Sequence, residues 1–256
     1  MKPGPDFVKY LEIPHLMEVP EILNRNCLEV YEKLDGGNSQ VRVCDGRIFT
    51  GSRANFLNRE EHFRFDWFKD FNKWTKSNHS FYNLPENFIV YGEFLAPHTL
   101  KYKPEFESRF FLIDVYDLSK SQFISYQNAR RLLEDSLGIK NILFLEALAK
   151  GKISMEKLKE ITMGESQYSE YGREGVVIKD YFNQRFAKLW RTSIDLSKKG
   201  LIEEINKTIL SLQHTNPLLA PGHLSLMVYK ELKRSGRQDI SLAKISDTIK
   251  EVANKI

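Results

Sequence analysis

The chain has 256 residues, of which 41% are hydrophobic and 28% are charged, a globular composition that can supply one good-sized core and a small second unit. Its net charge of +4 permits a polyanionic partner without requiring one. No apolar run is long enough to span a membrane, and the charged, proline-broken start lacks the apolar stretch of a signal peptide. Two cysteines without metal-ligand spacing suit a reducing compartment. These features predict a cytoplasmic protein with no membrane partner.

Short β-type runs fill the first part of the chain. Residues 27–56 contain three of them, and both breaks hold an Asp-Gly pair, which predicts two hairpins. Residues 60–80 carry aromatic side chains at helical spacing and predict a helix packed on that sheet. This spacing favours core positions over nucleic-acid stacking for the rings. Two apolar strands follow, in "NFIVYGEFLA" and "RFFLIDVYDL".

Helices and strands then alternate towards the end of the chain. "YQNARRLLEDSLG" predicts a helix that ends at Gly138, and "ISMEKLKEIT" predicts a second one. "EGVVIKD" and "RFAKLWR" return to strand character, and three segments after about residue 194 have the apolar spacing of short helices. We therefore expect an α+β fold with an antiparallel-sheet body over residues 1–195 and a small helical region over residues 196–256.

Six short motifs occur in the order "EKLDGGN", "TGSR", "VYGEFLA", "FFLIDVYD", "EGVVIK" and "FAKLW". Each alone has an ordinary interpretation, such as a solvated lysine beside a hairpin. Their order closely resembles the covalent nucleotidyltransferases, which comprise ATP-dependent DNA ligases, RNA ligases and mRNA-capping guanylyltransferases. The resemblance covers about residues 27–191. It implies an antiparallel-sheet nucleotidyltransferase domain, the adenylation domain of ligases, with a small helical C-terminal region.

The chemistry of this superfamily explains the residue types. A free lysine has a pKa of about 10.4 and is a poor nucleophile at neutral pH, but nearby cations ease the loss of its proton. In the superfamily a motif lysine attacks the α-phosphate of the nucleotide, expels pyrophosphate and becomes a lysyl–nucleotide phosphoramidate. Lys33 matches that nucleophile. The resemblance implies ATP as the AMP donor and Mg²⁺ or Mn²⁺ as the metal, with Glu174 and Glu93 as the matching metal ligands.

The remaining matched residues are assigned to nucleotide binding by the same resemblance. Lys179 and Lys188 would neutralise charge on the α-phosphate. The family's adenine-stacking aromatic falls just before Asp114, where this chain has Ile113, and Phe111 is expected to substitute from the same strand face. The complete nucleotide-binding set is Glu32, Asp35, Asn38, Arg53, Glu93, Phe111, Ile113, Lys179 and Lys188.

Two residues and the predicted tail favour the RNA ligase branch, particularly its nick-sealing members. Asn38 stands where DNA ligases and capping enzymes carry arginine, and Arg53 matches that branch's arginine near the phosphate end. The tail is predicted to be helical, whereas the other branches have a β-rich OB domain after the last lysine motif. Asp35, where the branch often has histidine, and Arg191, one position late for the second lysine of the last motif, depart from the pattern. Whether Arg191 replaces that lysine stays open.

The resemblance thus implies an ATP-dependent RNA ligase that joins 3′-OH and 5′-phosphate ends through a lysyl–AMP intermediate, at nicks in duplex or bridged RNA. RNA with such ends is the expected partner, and an RNA/DNA hybrid is left open. One alternative is a small ATP-dependent DNA ligase, which Asp35 favours. Another is a nucleic-acid-binding pseudoenzyme of the same fold. The physiological RNA and the oligomeric state are left open.

Overall fold

The computed structural model describes residues 4–57, 66–96, 100–170, 172–191 and 228. The chain divides into two compact units, Met1–Leu189 and Trp190–Ile256. Apart from Val228, the three predicted tail helices lie outside the described residues, so the boundary near residue 195 stays a prediction. Among the described residues, no helix combines the length and the apolar character needed to cross a membrane.

The first unit is built from short strands and a few helices. The strands are β1 Leu28–Lys33, β2 Gly37–Cys44, β3 Arg47–Ser52, β4 Phe88–Phe94, β5 Phe110–Asp117, β6 Gln122–Phe123, β7 Ile142–Leu143, β8 Ala149–Gly151, β9 Gly175–Asp180 and β10 Arg185–Trp190. The α-helices are α1 Asp66–Ser77, α2 Tyr126–Arg131, which continues as a π-helical turn over Leu132–Ser136, and α3 Met155–Met163. Short 3-10 helices cover Leu16–Glu18, Pro20–Asn24, His79–Asn83 and Pro104–Phe106.

The strands form two sheets. The first has the order β10-β9-β1-β8, and the second has the order β3-β2-β4-β5-β6 with the short β7 parallel to β5. Helix α1 covers the second sheet, where Phe71 stacks on Phe110 with ring centroids 5.7 Å apart and Trp74 lies 5.2 Å from the same ring. Most aromatic side chains of α1 therefore belong to the core, as their helical spacing predicts.

The break at Asp35-Gly36 is not a hairpin, and that prediction is wrong. β1 pairs with β8 and β9 in the first sheet, whereas β2 pairs with β3 and β4 in the second. The segment between β1 and β2 therefore carries the chain from one sheet to the other. Its glycines permit close packing: a Cβ atom on Gly37 would lie 2.3 Å from the ring of Trp67, and one on Gly36 would lie 2.6 Å from the carbonyl oxygen of Phe94.

The second Asp-Gly pair does form the predicted hairpin. β2 and β3 are antiparallel neighbours from Ser39–Ser52 to Cys44–Arg47. Asp45 and Gly46 between them have φ angles of 48° and 65°, the left-handed conformation that a two-residue type I′ turn requires.

Candidate active site

Two cavities meet at the end of β1, where Lys33 lies. The first cavity, of about 160 Å3, lies between the two sheets. The second, of about 520 Å3, lies beside the crossover from β1 to β2. Four residues line both cavities: Lys33, Asn38, Arg53 and Glu93. Four further predicted site residues line the first cavity only: Glu32, Ile113, Lys179 and Lys188.

Lys33 is held by Glu174, which directly precedes β9. The Nζ atom donates to both carboxylate oxygens, at 2.8 Å to Oε1 and 2.6 Å to Oε2. β1 and β9 pair with Lys33 opposite Gly175, so the strand register places the carboxylate at the lysine. Both side chains remain partly exposed, at 26% for Lys33 and 23% for Glu174.

Carboxylates decide the charge state of Lys33. Burial lowers the pKa of Lys33, but Glu174, Glu93 and Asp35 together raise it by more, so the pKa lies above its ordinary value. Burial also raises the pKa of Glu93 to about 7, even though Lys33 and the Gly36 amide favour its charged form. In this arrangement Lys33 is protonated, and a lysine can act as a nucleophile only after it loses that proton.

Positive charge gathers at one side of the first cavity. The pKa of Lys188 is lowered by partial burial and by the neighbouring charges of Lys33 and Arg53. Arg53 is half-exposed, with a guanidinium nitrogen 3.9 Å from a carboxylate oxygen of Glu12. Closely spaced cations of this kind stabilise a phosphate group.

Lys179 lies on the wall of the first cavity, but its charge is already compensated. Its Nζ atom donates to Asp114 Oδ2 at 2.9 Å and to the Ile113 carbonyl at 2.8 Å, and it is 3% exposed. Burial lowers the pKa of Lys179, and Asp114 opposes that shift. In this structure Asp114 compensates the charge of Lys179, and the assignment of this ammonium to the α-phosphate stays a prediction.

Phe111 does not share a strand face with Ile113, and that expectation is wrong. Tyr91 pairs with Asp114 and Gly92 pairs with Leu112, so Ile113 is the extra residue of a β-bulge. The bulge interrupts the alternation of side chains along β5. Ile113 faces the first cavity, whereas Phe111 is buried in the core, 5.0 Å from the ring of Tyr168.

Glu32 also belongs to the predicted nucleotide-binding set, and its role there stays a prediction. Strand alternation places its side chain on the face of β1 opposite Lys33, among buried residues. One carboxylate oxygen accepts from Ser166, and the other lies 3.2 Å from the Nε atom of Arg173. The carboxylate of Glu32 is therefore bound by Ser166 and Arg173, although the residue also lines the first cavity.

Asp35 lies outside the first cavity and lines the second one. Its Oδ2 atom accepts from the Leu100 amide at 3.0 Å, and its own amide donates to the hydroxyl of Tyr102. Asp35 thus fixes the crossover beside Lys33. Arg191 belongs to the second compact unit, and we assign it no place in the site.

The amino-terminal segment forms a wall of the first cavity that sequence reasoning missed. Tyr10, Leu11 and Ile13 line it, and the Tyr10 hydroxyl donates to Asp114 Oδ2 at 2.6 Å. The Pro14 carbonyl accepts from the Lys188 amide at 3.0 Å. These residues match no motif, so only their apolar character offered a signal.

The carboxylates beside Lys33 could supply some, but not all, of the ligands of a divalent cation. Among the described residues no cluster of three or more His, Cys, Asp or Glu side chains is placed to hold a metal. Glu93 and Glu174 do flank Lys33, and carboxylate oxygens are preferred ligands of Mg²⁺ and Mn²⁺. A cation here would need further oxygen ligands from a nucleotide or water.

Comparison with known proteins identifies the family. The RNA ligase family profile matches residues 28–190, well over half of the chain, and the chain belongs to the RNA ligase family. The resemblance inferred from the motif order is thereby confirmed. A comparison with curated proteins found no significant match.

Solved structures of Naegleria gruberi RNA ligase share the fold. A variant with ATP and Mn is 20% identical, with 76% of this chain and 60% of that chain covered and a TM-score of 0.60. A variant with AMP and Mn is 18% identical with the same coverage and a TM-score of 0.61. The ligase with PPi is 21% identical, with 74% and 58% covered and a TM-score of 0.56. This chain spans about 60% of the length of those ligases. The likeness confirms the predicted α+β nucleotidyltransferase fold.

Proposed function

We propose that the protein is an ATP-dependent RNA ligase that joins 3′-OH and 5′-phosphate ends through a lysyl–AMP intermediate. The observation that carries the proposal is Lys33 at the junction of two cavities, held by both oxygens of Glu174 and close to the cations Arg53 and Lys188. A lysine so placed can reach a nucleotide phosphate whose charge the cations neutralise. The Naegleria ligases bound to ATP or AMP with Mn support the same nucleotide and metal class.

The first cavity is the proposed nucleotide site. Its inner part is lined by the apolar side chains of Leu11, Ile13, Ile113 and Val177, which can enclose the base between aliphatic surfaces. The phosphates would then lie towards Lys33 and the cations. Lys179 acts indirectly in this arrangement, because it fixes the bulge at Ile113 through the carbonyl of that residue.

Lys33 must lose its proton before it can attack the α-phosphate. Its partner Glu174 is also a proposed metal ligand, together with Glu93. A bound Mg²⁺ or Mn²⁺ would neutralise phosphate charge and compete with Lys33 for these carboxylates. Since the carboxylates are what raise the pKa of Lys33, their engagement elsewhere leaves burial and the nearby cations to lower it.

The RNA substrate and the nick-sealing specificity rest on the family and on Asn38 and Arg53, which line both cavities. A small ATP-dependent DNA ligase is the alternative that Asp35 favours. Joining of matched nicks in duplex RNA, duplex DNA and RNA/DNA hybrids distinguishes the two, and we expect the RNA nick to be sealed fastest.

Transfer of labelled AMP tests the proposal directly. The protein is incubated with α-labelled ATP and Mg²⁺, denatured, and examined for retained label. We expect label on the wild type and none on Lys33→Ala or Lys33→Arg, because a guanidinium stays protonated and cannot attack. Lys157→Ala is the matched control, since that exposed lysine pairs with Glu160 on the surface of helix α3. A wild-type protein that takes up no label would point to the nucleic-acid-binding pseudoenzyme instead.

A further inference from the structure

The turn between β9 and β10 presents an aromatic ring to solvent. Phe182 is 91% exposed, more than any other large hydrophobic side chain among the described residues. A single exposed ring is common on protein surfaces and needs no explanation by itself. Phe182 differs from an ordinary surface ring because its turn is firmly held and because cations lie around it.

Side-chain hydrogen bonds fix the backbone beside Phe182. The amide and the side chain of Asn183 donate to the two carboxylate oxygens of Asp180, at 3.1 Å and 2.6 Å. The side chain of Gln184 accepts from the Phe123 amide at 2.7 Å and donates to the Phe123 carbonyl at 2.9 Å. Because β6 contains Phe123, these bonds anchor the turn to the second sheet as well as to its own.

Three cations lie around this turn at exposed positions. Arg185 is exposed and begins β10 directly after the turn. Arg25 has its Nε atom 3.9 Å from Asp180 Oδ2, and Lys120 has its Nζ atom 3.8 Å from Asp117 Oδ2, beside β6. Both carboxylates are buried, whereas Arg25 and Lys120 are more than half exposed. The charges that these contacts present to solvent are therefore positive.

The ring and its cations lie far from the candidate active site. We call Phe182, Arg25, Lys120 and Arg185 the distal patch, and none of these four residues lines the first or the second cavity. β9 begins at Gly175, opposite Lys33, and ends at Asp180, where the turn begins. At a rise of about 3.3 Å per residue, the strand alone separates its two ends by roughly 17 Å.

An exposed ring among cations matches the chemistry of single-stranded RNA. An unpaired base stacks on an aromatic side chain, and the neighbouring phosphates are attracted to lysine and arginine. A duplex offers phosphates to the cations but keeps its bases stacked within the helix. The chain belongs to the RNA ligase family, and RNA on either side of a break extends beyond the reacting ends.

We propose that the distal patch is an RNA-binding exosite, which holds an unpaired segment of the substrate away from the reacting ends. Phe182 stacks on one base, and the three cations contact neighbouring phosphates. This inference rests on the proposed function, because it takes the bound polymer to be the RNA substrate. The patch strengthens substrate binding without contacting ATP or the reacting atoms.

Binding of an oligonucleotide that cannot be joined tests the patch. The probe is a short fluorescent oligouridylate with a blocked 3′ end and a 5′-OH, and fluorescence polarisation with the full chain, without ATP, measures its affinity. We expect Phe182→Ser to weaken binding about ten-fold, the effect of losing one base–aromatic contact. Phe182→Trp keeps a ring and should bind at least as well as the wild type. Since Phe182 is almost fully exposed, neither substitution removes core packing.

Arg185→Gln tests the cations separately. It should weaken binding and lower the slope of log affinity against log salt by about 0.7, the value for one phosphate contact with a single strand. Tyr82→Ser, which removes an exposed ring elsewhere, and Lys157→Gln, at an exposed position on α3, are the controls and should bind like the wild type. AMP loading from labelled ATP should change less than about two-fold in every variant.

Three results would overturn the exosite. One is wild-type affinity for the oligouridylate in both Phe182→Ser and Arg185→Gln. Another is an equal loss of affinity for fully duplex RNA in Phe182→Ser, because stacking requires an unpaired base. The third is weaker binding of poly-glutamate with unchanged RNA binding, which would assign the patch to an acidic protein. A wild-type protein that binds the oligouridylate through Phe182 but takes up no AMP would overturn the proposed function and leave the exosite standing.

Discussion

Carboxylates surround Lys33 and compensate its positive charge, which favours the protonated form of the lysine. The lysine lies at the end of β1 with Glu174 in direct contact and with Glu93 and Asp35 near enough to raise its pKa. Burial is also the main influence on Glu93, whose pKa it raises to about 7. A bound cation or nucleotide would therefore change the protonation of both Lys33 and Glu93.

Glu93 makes the stability of the ligand-free protein depend on pH. Its pKa rises from 4.5 to about 7 on folding, so the folded state binds the proton more tightly than the unfolded state. The cost of ionising the buried carboxyl is absent below about pH 4.5 and is complete above about pH 7, so this group costs stability as pH rises. A shift of this size corresponds to about 3 kcal/mol.

Glu93→Gln should remove that cost. Between pH 5 and pH 8, in EDTA, the unfolding free energy of the variant should rise relative to the wild type by about 2 kcal/mol. Denaturant titrations at both pH values measure the difference. Glu160→Gln, at an exposed position on α3, is the control and should show no such trend. A wild-type advantage that grows with pH would mean that Glu93 is stabilised as a carboxylate by Lys33.

At the scale of elements, the pairing of β1 with β9 carries two ion pairs on opposite faces. Lys33 meets Glu174 on the cavity face, and Glu32 meets Arg173 on the other face. Arg173 also donates to the carbonyl of Ile161 in α3. The buried pair therefore ties α3 to the two strands that place Lys33 beside Glu174.

Arg173→Met should destabilise the first unit strongly. Arg173 is 11% exposed and Glu32 4%, so the substitution leaves a buried carboxylate without its cation, at a cost of about 3–5 kcal/mol. Lys157→Met breaks an exposed pair and should cost less than about 1 kcal/mol. Urea unfolding midpoints compare the two, and the double variant Arg173→Met/Glu32→Leu should recover part of the loss. Equal small losses in both single variants would show that the buried pair does not hold the strands.

At the scale of the whole molecule, the residues matched to nucleotide chemistry lie within the first compact unit, Met1–Leu189. The second unit contains the sequence positions Lys230, Lys233, Arg234 and Arg237. Such cations can contact phosphates through a term that weakens as salt is added. We therefore assign AMP loading to the first unit and propose that the second contributes to sealing.

A chain ended after residue 195 tests this division. It should form the lysyl–AMP adduct but seal nicks poorly, and sealing by the full chain should fall more steeply with added salt than its AMP loading does. Circular dichroism must first show that the shortened chain is folded. Sealing at the full-length rate by a folded fragment would show that the second unit does not bind the RNA.

Much of the site could be predicted from the sequence by itself. The motif order placed Lys33, Asn38, Glu93 and Lys188 in one site, and the structure brings all four to one cavity. Local patterns also located α1, the Asp45-Gly46 hairpin and strands β4, β5, β9 and β10. The helix, the hairpin and the strands depend on residues close together in the chain. The site residues could be found because the family's motifs occur in a fixed order along the chain.

Tertiary structure decided what depends on contacts between distant residues. Strand alternation suggested that Phe111 would replace the stacking ring, but a bulge against β4 turned Ile113 to the cavity. Asp-Gly suggested a hairpin at Asp35, but pairing with different neighbours made it a crossover between sheets. Tyr10 lies 104 positions from Asp114, yet its hydroxyl donates to that carboxylate. Local sequence carries no signal for such contacts, because folding selects them by burial and register across the whole unit.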